Sequence, residues 1–392
     1  MRIHFLNVGR GDCTIIEHRN SGHVTMIDVN NGALLNDIEN EQLEEYVENN
    51  FQMAYLVDQV MHNNNKERAL MEVYEKHRKE ILEAFEIELD DPIDYFLGRV
   101  GNSIFRFVLT HPDADHFTGL ARLEKEMSNS SLTISNFWSL PSTKSIESFK
   151  SDNEEESWKT FLEWRDRSFH RNYTQGASAK YFNINEDGSS GGDGISVLSP
   201  DAKIVTDAHE RYASKKDIYN NASYILKLQQ GKANVILGGD AFGNQGSTSP
   251  SDVPTENYMP NAWKHVLDSI PKEIENVDLL KASHHGLESG YHDKAVERMN
   301  PKITIVSEGK KQDQDAQSRY PNATLSTRWY GTIVADVHES GEVVIWTRKF
   351  RGDHDSLDLT NELGFYFNKK SFLHRGSLVY RSLQELYRRQ QH

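Results

Sequence analysis

Three short clusters of histidine and aspartate give this chain its chemistry. The segment Thr110-His111-Pro112-Asp113-Ala114-Asp115-His116 holds two imidazoles and two carboxylates, and Gly238-Gly239-Asp240 and Ser283-His284-His285-Gly286 add another carboxylate and two more imidazoles. Each cluster follows a short apolar run. Sheet ends are rigid enough to hold side chains in fixed geometry while the loops beyond them stay open to substrate. His111 and Asp113 are two apart, as are Asp113 and Asp115, with His116 directly after. An extended or tightly turning backbone sends such neighbours in different directions, so one short loop can serve two ions. With Asp240 and a histidine of the third cluster, the donors reach about the number that a binuclear divalent-metal centre with open positions requires. Two close cations would lower the pKa of a bridging water to give hydroxide and would polarise the bond it attacks. No serine or cysteine nucleophile is then needed. No nucleophile elbow occurs, and Gly238-Gly239-Asp240 lacks the Gly-Lys-Ser/Thr ending of a phosphate loop. Taken singly, the clusters have ordinary readings as a solvated loop, a helix N-cap and a turn. Their common placement after apolar strands favours metal.

The elements that must position these clusters follow from periodicity. Residues 2–8, 14–18 and 23–29 read as a β-meander with turns at Gly9-Arg10-Gly11-Asp12 and Asn20-Ser21-Gly22. From about 34 to 97 the strand signal gives way to helical spacing (Leu70, Val73, Tyr74, His77, Ile81, Phe85), which predicts a helical insertion closed by Asp90-Asp91-Pro92. Residues 104–109 form a buried-type strand that delivers the first cluster, and a helix follows to about 126. Residues 142–190 read as a polar, partly helical insertion running into a flexible glycine-rich loop, 188–194. Strands are expected at 196–198, 223–228, 234–237, 277–282 and 302–307, helices at 263–270 and 293–299, and a closing hairpin at 332–348. This order predicts an α/β fold of two packed sheets with helices outside. A hydrolase domain would span 1–350, and 351–392 would be a C-terminal extension ending in a basic helix at 382–389.

Composition narrows the class. The chain has 392 residues, 37% hydrophobic and 26% charged, which is ordinary for a globular protein. Its formal net charge of -15 disfavours nonspecific contact with nucleic acid or anionic membranes, unless bound cations supply local positive charge. Cys13 is the only cysteine, which excludes an internal disulfide and a cysteine-rich zinc motif. Its strand-like neighbours predict a buried, inert thiol. No signal-peptide pattern and no long apolar run occur, so a cytoplasmic location without a membrane partner is expected.

The motifs, taken in order, resemble those of the metallo-β-lactamase superfamily, and within it the soluble hydrolase domain of the ComEC-type DNA-uptake proteins. Phe5-Leu6-Asn7-Val8-Gly9-Arg10-Gly11-Asp12 resembles that branch's opening FLDVGQGD. The first cluster with Gly119 resembles its THxDxDHxGG, and Asn220-Asn221-Ala222-Ser223 its NNxS. Leu237-Gly238-Gly239-Asp240 and Ser283-His284-His285-Gly286 resemble its GD and HHGS, followed by Pro301-Lys302 and Val306-Ser307. The likeness spans residues 1–350 discontinuously. Asn7, Arg10 and Leu287 depart from the pattern, and the branch's membrane channel is absent.

The resemblance implies an αββα sandwich with helical insertions and two divalent ions, Zn²⁺ or Mn²⁺. It implies His111 and Asp113 on one ion, Asp115, His116 and His284 on the other, and Asp240 bridging both. Asp115 and His285 are the expected catalytic groups, although the choice between His284 and His285 as ligand stays open. Asp12, Asp28, Asn221 and Ser223 are expected to support the ligands from behind. For an additional histidine ligand, His170 and His209 are the candidates in the right interval. The favoured function is a metal-dependent phosphodiesterase or nuclease acting on nucleic acid or nucleotides. The alternatives are a hydrolase of a small lactam, lactone or thioester, and a non-enzymatic scaffold that binds a protein partner through its insertions.

Overall fold

The computed structural model describes residues 1–9, 11–31, 89–142, 144–146, 148–178, 181–182, 187–189, 192–208, 218–243, 261–307, 319–348 and 378–382. Arg10, His209, most of the helical insertion expected at 34–97 and most of the C-terminal extension lie outside the described residues.

Fifteen strands are described: β1 (Arg2–Phe5), β2 (Thr14–Glu17), β3 (Val24–Ile27), β4 (Ser103–Val108), β5 (Thr133–Trp138), β6 (His170–Arg171), β7 (Ile195–Ser199), β8 (Ile225–Gln230), β9 (Ala233–Leu237), β10 (Leu279–Lys281), β11 (Ile303–Val306), β12 (Ala323–Ser326), β13 (Ile333–Val337), β14 (Val343–Thr347) and β15 (Leu378–Ser382). They form a nine-stranded sheet, β15-β14-β13-β1-β2-β3-β4-β5-β6, and a six-stranded sheet, β12-β11-β10-β9-β8-β7. The meander β1–β2–β3 is antiparallel, and β4 joins β3 in parallel. In the second sheet β9, β10, β11 and β12 run parallel. The closing hairpin expected at 332–348 is β13–β14. Residues 378–382, expected in the extension, pair in parallel with β14 and so belong to the first sheet.

Strand periodicity sorts side chains into layers. Ile3, Phe5, Ile27 and Val108 from the first sheet meet Val235, Leu237, Leu279, Ile303 and Ile305 from the second in one apolar core. The alternate residues point outward. Ile15, Met26 and Phe107 pack against helices α1 (Pro92–Arg99), α2 (Ala114–Phe117), α3 (Leu120–Asn129) and α4 (Asp152–Asp166). Ile236, Leu280 and Val306 pack against α5 (Ala262–Ser269) and α6 (Asp293–Met299). The result is the αββα sandwich expected from the sequence. Cys13 is buried in the outer layer, and burial together with Asp28 and Asp12 pushes its thiol well above its ordinary pKa, in keeping with an inert side chain. No helix among the described residues is long and apolar enough to cross a membrane.

The segment 142–190, expected to be polar and partly helical, contains helix α4. Helix α4 starts at the N-cap Ser151, whose hydroxyl accepts from the Glu154 amide, and its first turn carries Asp152, Glu154 and Glu155, which suit the positive end of the helix dipole. Trp158, Phe161 and Trp164 then face Phe107, Phe117 and Phe137, so the helix is a structural layer of the fold. Three aromatics at helical spacing were its signal within an otherwise polar stretch.

The glycine-rich loop is also held. Asp193 is fully buried against Arg106 of β4, whose guanidinium donates to Asp193 at 2.8 Å and to Thr25 Oγ1 at 2.7 Å. The Arg106 guanidinium lies 4.8 Å from the Trp138 ring centroid, and Ser21 and His23 also reach Asp193. Removing one partner of a buried pair strands the other charge, at a cost of about 3–5 kcal/mol. Asp193→Ala is expected to lower unfolding stability in urea by that amount. The double variant Asp193→Ala/Arg106→Met should recover part of it, and metal content should not change in either.

Candidate metal centre

The three clusters meet where β4, β9 and β10 end, on the edge of the sandwich where parallel strands present their carboxyl ends. Beyond β4 the backbone of Asp113 is extended (φ -100°, ψ 151°) and α2 begins at once. The chain therefore turns between Asp113 and Asp115, and His111 and His116 come to lie with ring centroids 4.2 Å apart. Beyond β9, Gly239 takes φ +49°, and a Cβ there would lie 2.6 Å from the Tyr224 carbonyl oxygen, so only glycine fits. The Asp240 amide then donates to Ser223 Oγ at 3.0 Å, which aims the carboxylate inward.

Asp240 Oδ2 is the hub. Four imidazole Nε2 atoms surround it, those of His116 at 3.2 Å, His285 at 3.5 Å, His111 at 3.7 Å and His284 at 4.0 Å. Asp115 Oδ2 lies 3.3 Å from His285 Nε2, and Asp113 Oδ2 lies 3.6 Å from His111 Nε2. The sequence-based assignment of His284 to the Asp115–His116 set is thus not what the geometry shows. His285 occupies that place, buried, while the His284 side chain is 21% exposed at the rim. The two differ because both sit in left-handed backbone, at φ 50° and 56°, which turns successive side chains apart.

The opposite ring nitrogens are anchored. His116 Nδ1 is 2.8 Å from Asp28 Oδ2, His285 Nδ1 is 3.0 Å from the Ser307 carbonyl, and His284 Nδ1 is 2.5 Å from Ser289 Oγ. Asp28 also accepts from the Thr110 amide and hydroxyl, at 2.7 and 2.8 Å, and so fixes the start of the first cluster as well as one of its ligands. Asp12 pairs with Lys281 Nζ at 2.5 Å, with both side chains buried. Of the residues expected as supports, Asp28 bonds to His116 and Ser223 to the Asp240 amide, while Asp12 lies close enough to Asp240 and His285 to be a donor itself. The side-chain carbonyl of Asn221 accepts from the Ala262 amide at 2.7 Å and holds the start of α5. His170 is on β6 against Ser139, away from the cluster.

Sequence reasoning passed over two cations, Lys281 and Lys144. Lys281 had a visible signal, a lysine inside an apolar strand. Lys144, which pairs with Asp113, lies in a polar stretch and had none.

The donors fit a divalent metal. His111 Nε2, His116 Nε2, His285 Nε2 and Asp240 Oδ1 are buried and make no hydrogen bond, an expensive arrangement for polar atoms unless something binds there. Donor atoms of His111, His116 and Asp240, and likewise of Asp115, His116 and His285, lie within 4.8 Å of one another. Imidazole and carboxylate together suit zinc and manganese.

No family model matches this chain, and no curated protein matches it. Among solved structures, the chain is similar to the metallo-β-lactamase fold protein YhfI from Bacillus subtilis (9% identity, 83% of this chain and 96% of that one, TM-score 0.33). It is also similar to Tm1679, a metal-dependent hydrolase of the β-lactamase superfamily (11%, 83% and 95%, TM-score 0.37), and to a diphosphatase from the PhnP family (10%, 85% and 97%, TM-score 0.34). These likenesses are distant, and the roles of the residues follow from their own geometry.

Electrostatics gives the metal-free cluster a pH signature. Burial disfavours charge on His116 and His285, yet Asp240 and its neighbours outweigh it, raising His116 well above its usual value and His285 to about 10. Burial likewise opposes the Asp113 carboxylate, and His111 and Lys144 hold it down at about 2. The His285 contribution to metal-free stability is complete below 6.5 and lost as pH rises through about 10, whereas that of Asp113 is complete above 3.8 and lost as pH falls through about 2. Ligation requires neutral imidazoles, so metal uptake at pH 7 should release about two protons per chain, and affinity should rise with pH. Calorimetric titration in buffers of different ionisation enthalpy measures this. Uptake without proton release would refute it.

Proposed function

We propose that the chain is a hydrolase that holds two divalent ions and cleaves phosphodiester bonds in nucleic acid or nucleotides. The observation that carries this reading is the convergence of unsatisfied imidazole nitrogens and carboxylates on Asp240 at the open end of the sandwich. His111, Asp113 and Asp240 would hold one ion, and Asp115, His116, His285 and Asp240 the other. Such ions supply Lewis acidity and an activated water. Three ligand carboxylates offset much but not all of the charge of two divalent ions, and Asp12 is already matched by Lys281. The modest positive surplus suits a phosphodiester, which carries one negative charge and two non-bridging oxygens, better than a neutral lactam or lactone. The carboxylate-rich donor set also shifts preference toward harder ions such as Mn²⁺, without excluding Zn²⁺.

His284 is the histidine of the group that faces outward. Its ring is fixed by Ser289 through Nδ1, with Nε2 toward the reaction side. In the proposed reaction water adds to phosphorus and passes a proton to the free Nε2 of neutral His284, whose pKa burial lowers and whose Nδ1–H donates to Ser289 Oγ; the bond to the leaving oxygen breaks and Nε2 returns that proton to it. His285, the expected catalytic histidine, is here a ligand.

The two histidines should separate experimentally. His284→Gln should retain metal and lower kcat by roughly 10²–10⁴-fold, whereas His285→Gln and Asp115→Ala should lose metal. Elemental analysis and turnover of a chromogenic phosphodiester, single-stranded nucleic acid, a lactam and a lactone, each with Mn²⁺ and Zn²⁺, give the answer. Turnover of the lactam or lactone alone, abolished by Asp115→Ala, would overturn the phosphodiester reading.

A further inference from the structure

A substrate at this site needs a group to hold it besides the metal donors. Among the described residues two lysines touch carboxylates of the cluster. Lys281 is buried and committed to Asp12. Lys144 is different in each respect. It comes from the chain beyond β5, an element that supplies no ligand, and its side chain remains 20% exposed. Its Nζ pairs with Asp113 Oδ1, while the other oxygen of that carboxylate faces His111. Asp113 therefore lies between the ammonium and the imidazoles, and it is itself one of the more open residues of the cluster, at 29%.

The lysine is placed rather than trailing. Its amide donates to Ser142 Oγ at 3.1 Å, and the Ser142 carbonyl accepts from Arg165 Nη1 of α4 at 3.0 Å. The Tyr219 ring centroid lies 5.8 Å from Nζ. The segment is thus tied to the aromatic helix that packs on the first sheet, and the lysine head is held against Asp113.

Building on the phosphodiesterase reading above, we infer that Lys144 is the residue that binds the anionic group of the substrate, by donating to a non-bridging phosphoryl oxygen at the Asp113 side of the centre. When Asp113 turns its charge to an ion, the ammonium is left without a full counter-charge, in a half-buried position where a new anion is favoured. A phosphoryl oxygen provides that anion. A neutral lactam carbonyl does not, so Lys144 confers selectivity for anionic substrates.

The test uses the full chain loaded with Mn²⁺, with inorganic phosphate as probe and a chromogenic phosphodiester as substrate. Lys144→Met should leave metal content and the thermal transition unchanged. It should weaken phosphate binding by calorimetry and raise KM by roughly 10- to 100-fold, as loss of a hydrogen bond between charged groups requires, with kcat changed by only a few-fold. Lys144→Arg should restore most of both. Phosphate affinity equal in wild type and Lys144→Met overturns the inference, as does a change confined to metal affinity, which would make Lys144 a mere counter-ion for Asp113. Phosphate binding is read without turnover. A wild type that binds phosphate through Lys144 yet cleaves no phosphodiester would therefore defeat the phosphodiesterase reading while leaving the anion site standing.

Discussion

A single buried carboxylate, that of Asp240, sits within 4.0 Å of four imidazole nitrogens. Bringing so many ionisable groups out of water is costly, and in the metal-free protein the cluster is held by mutual attraction between protonated imidazoles and depressed carboxylates. Exchange of those protons for divalent cations keeps the opposite charges matched while satisfying nitrogens that otherwise have no hydrogen-bond partner. The remaining architecture keeps these donors from relaxing away from one another.

That restraint comes from behind the ligands. Asp28 bonds at once to the Thr110 amide, the Thr110 hydroxyl and His116 Nδ1, so one carboxylate aligns the backbone and a ligand ring. Ser307 and Ser289 hold His285 and His284, and the Asp12–Lys281 pair closes the floor. Asp28, His284 and His285 all adopt φ between +50° and +56°, each at a cost on the order of 1–3 kcal/mol. The conformations persist because the strands that lead into them, β3 and β10, are fixed between an intersheet core and an outer helical layer. Strained backbone at the ends of well-packed strands is how this fold turns sheet rigidity into side-chain placement.

The open side has a different construction. Asp113, Asp115 and His284 keep some exposure, and Lys144 reaches Asp113 from beyond β5, its segment steadied by α4. The proposed ligands and the proposed substrate contact thus come from separate parts of the chain.

Much of this was readable in the sequence. Apolar runs with period two placed the strands, and His-Asp clusters directly after three of them named His111, Asp113, Asp115, His116 and Asp240, because strand alternation and ligand chemistry are both local properties. The resemblance to the superfamily implied Asp12, Asp28, Asn221 and Ser223 as supports. It did not separate His284 from His285, since the choice depends on left-handed backbone at both residues and on Ser307 and Ser289 lying close enough to anchor one ring each. It could not show the bond between Asn221 and the Ala262 amide at the start of α5, which forms only once the chain is folded. Local pattern read 142–190 as polar and partly helical, and Trp158, Phe161 and Trp164 become a structural layer only when Phe107 and Phe137 are there to meet them. Lys144 carried no sequence signal, because its importance is a distance to Asp113 across 31 residues of chain. The sequence determined which groups are chemically able to act and which strands carry them. Tertiary structure decided which of them meet, because side-chain direction at a strained turn and contact between distant segments depend on how the layers pack.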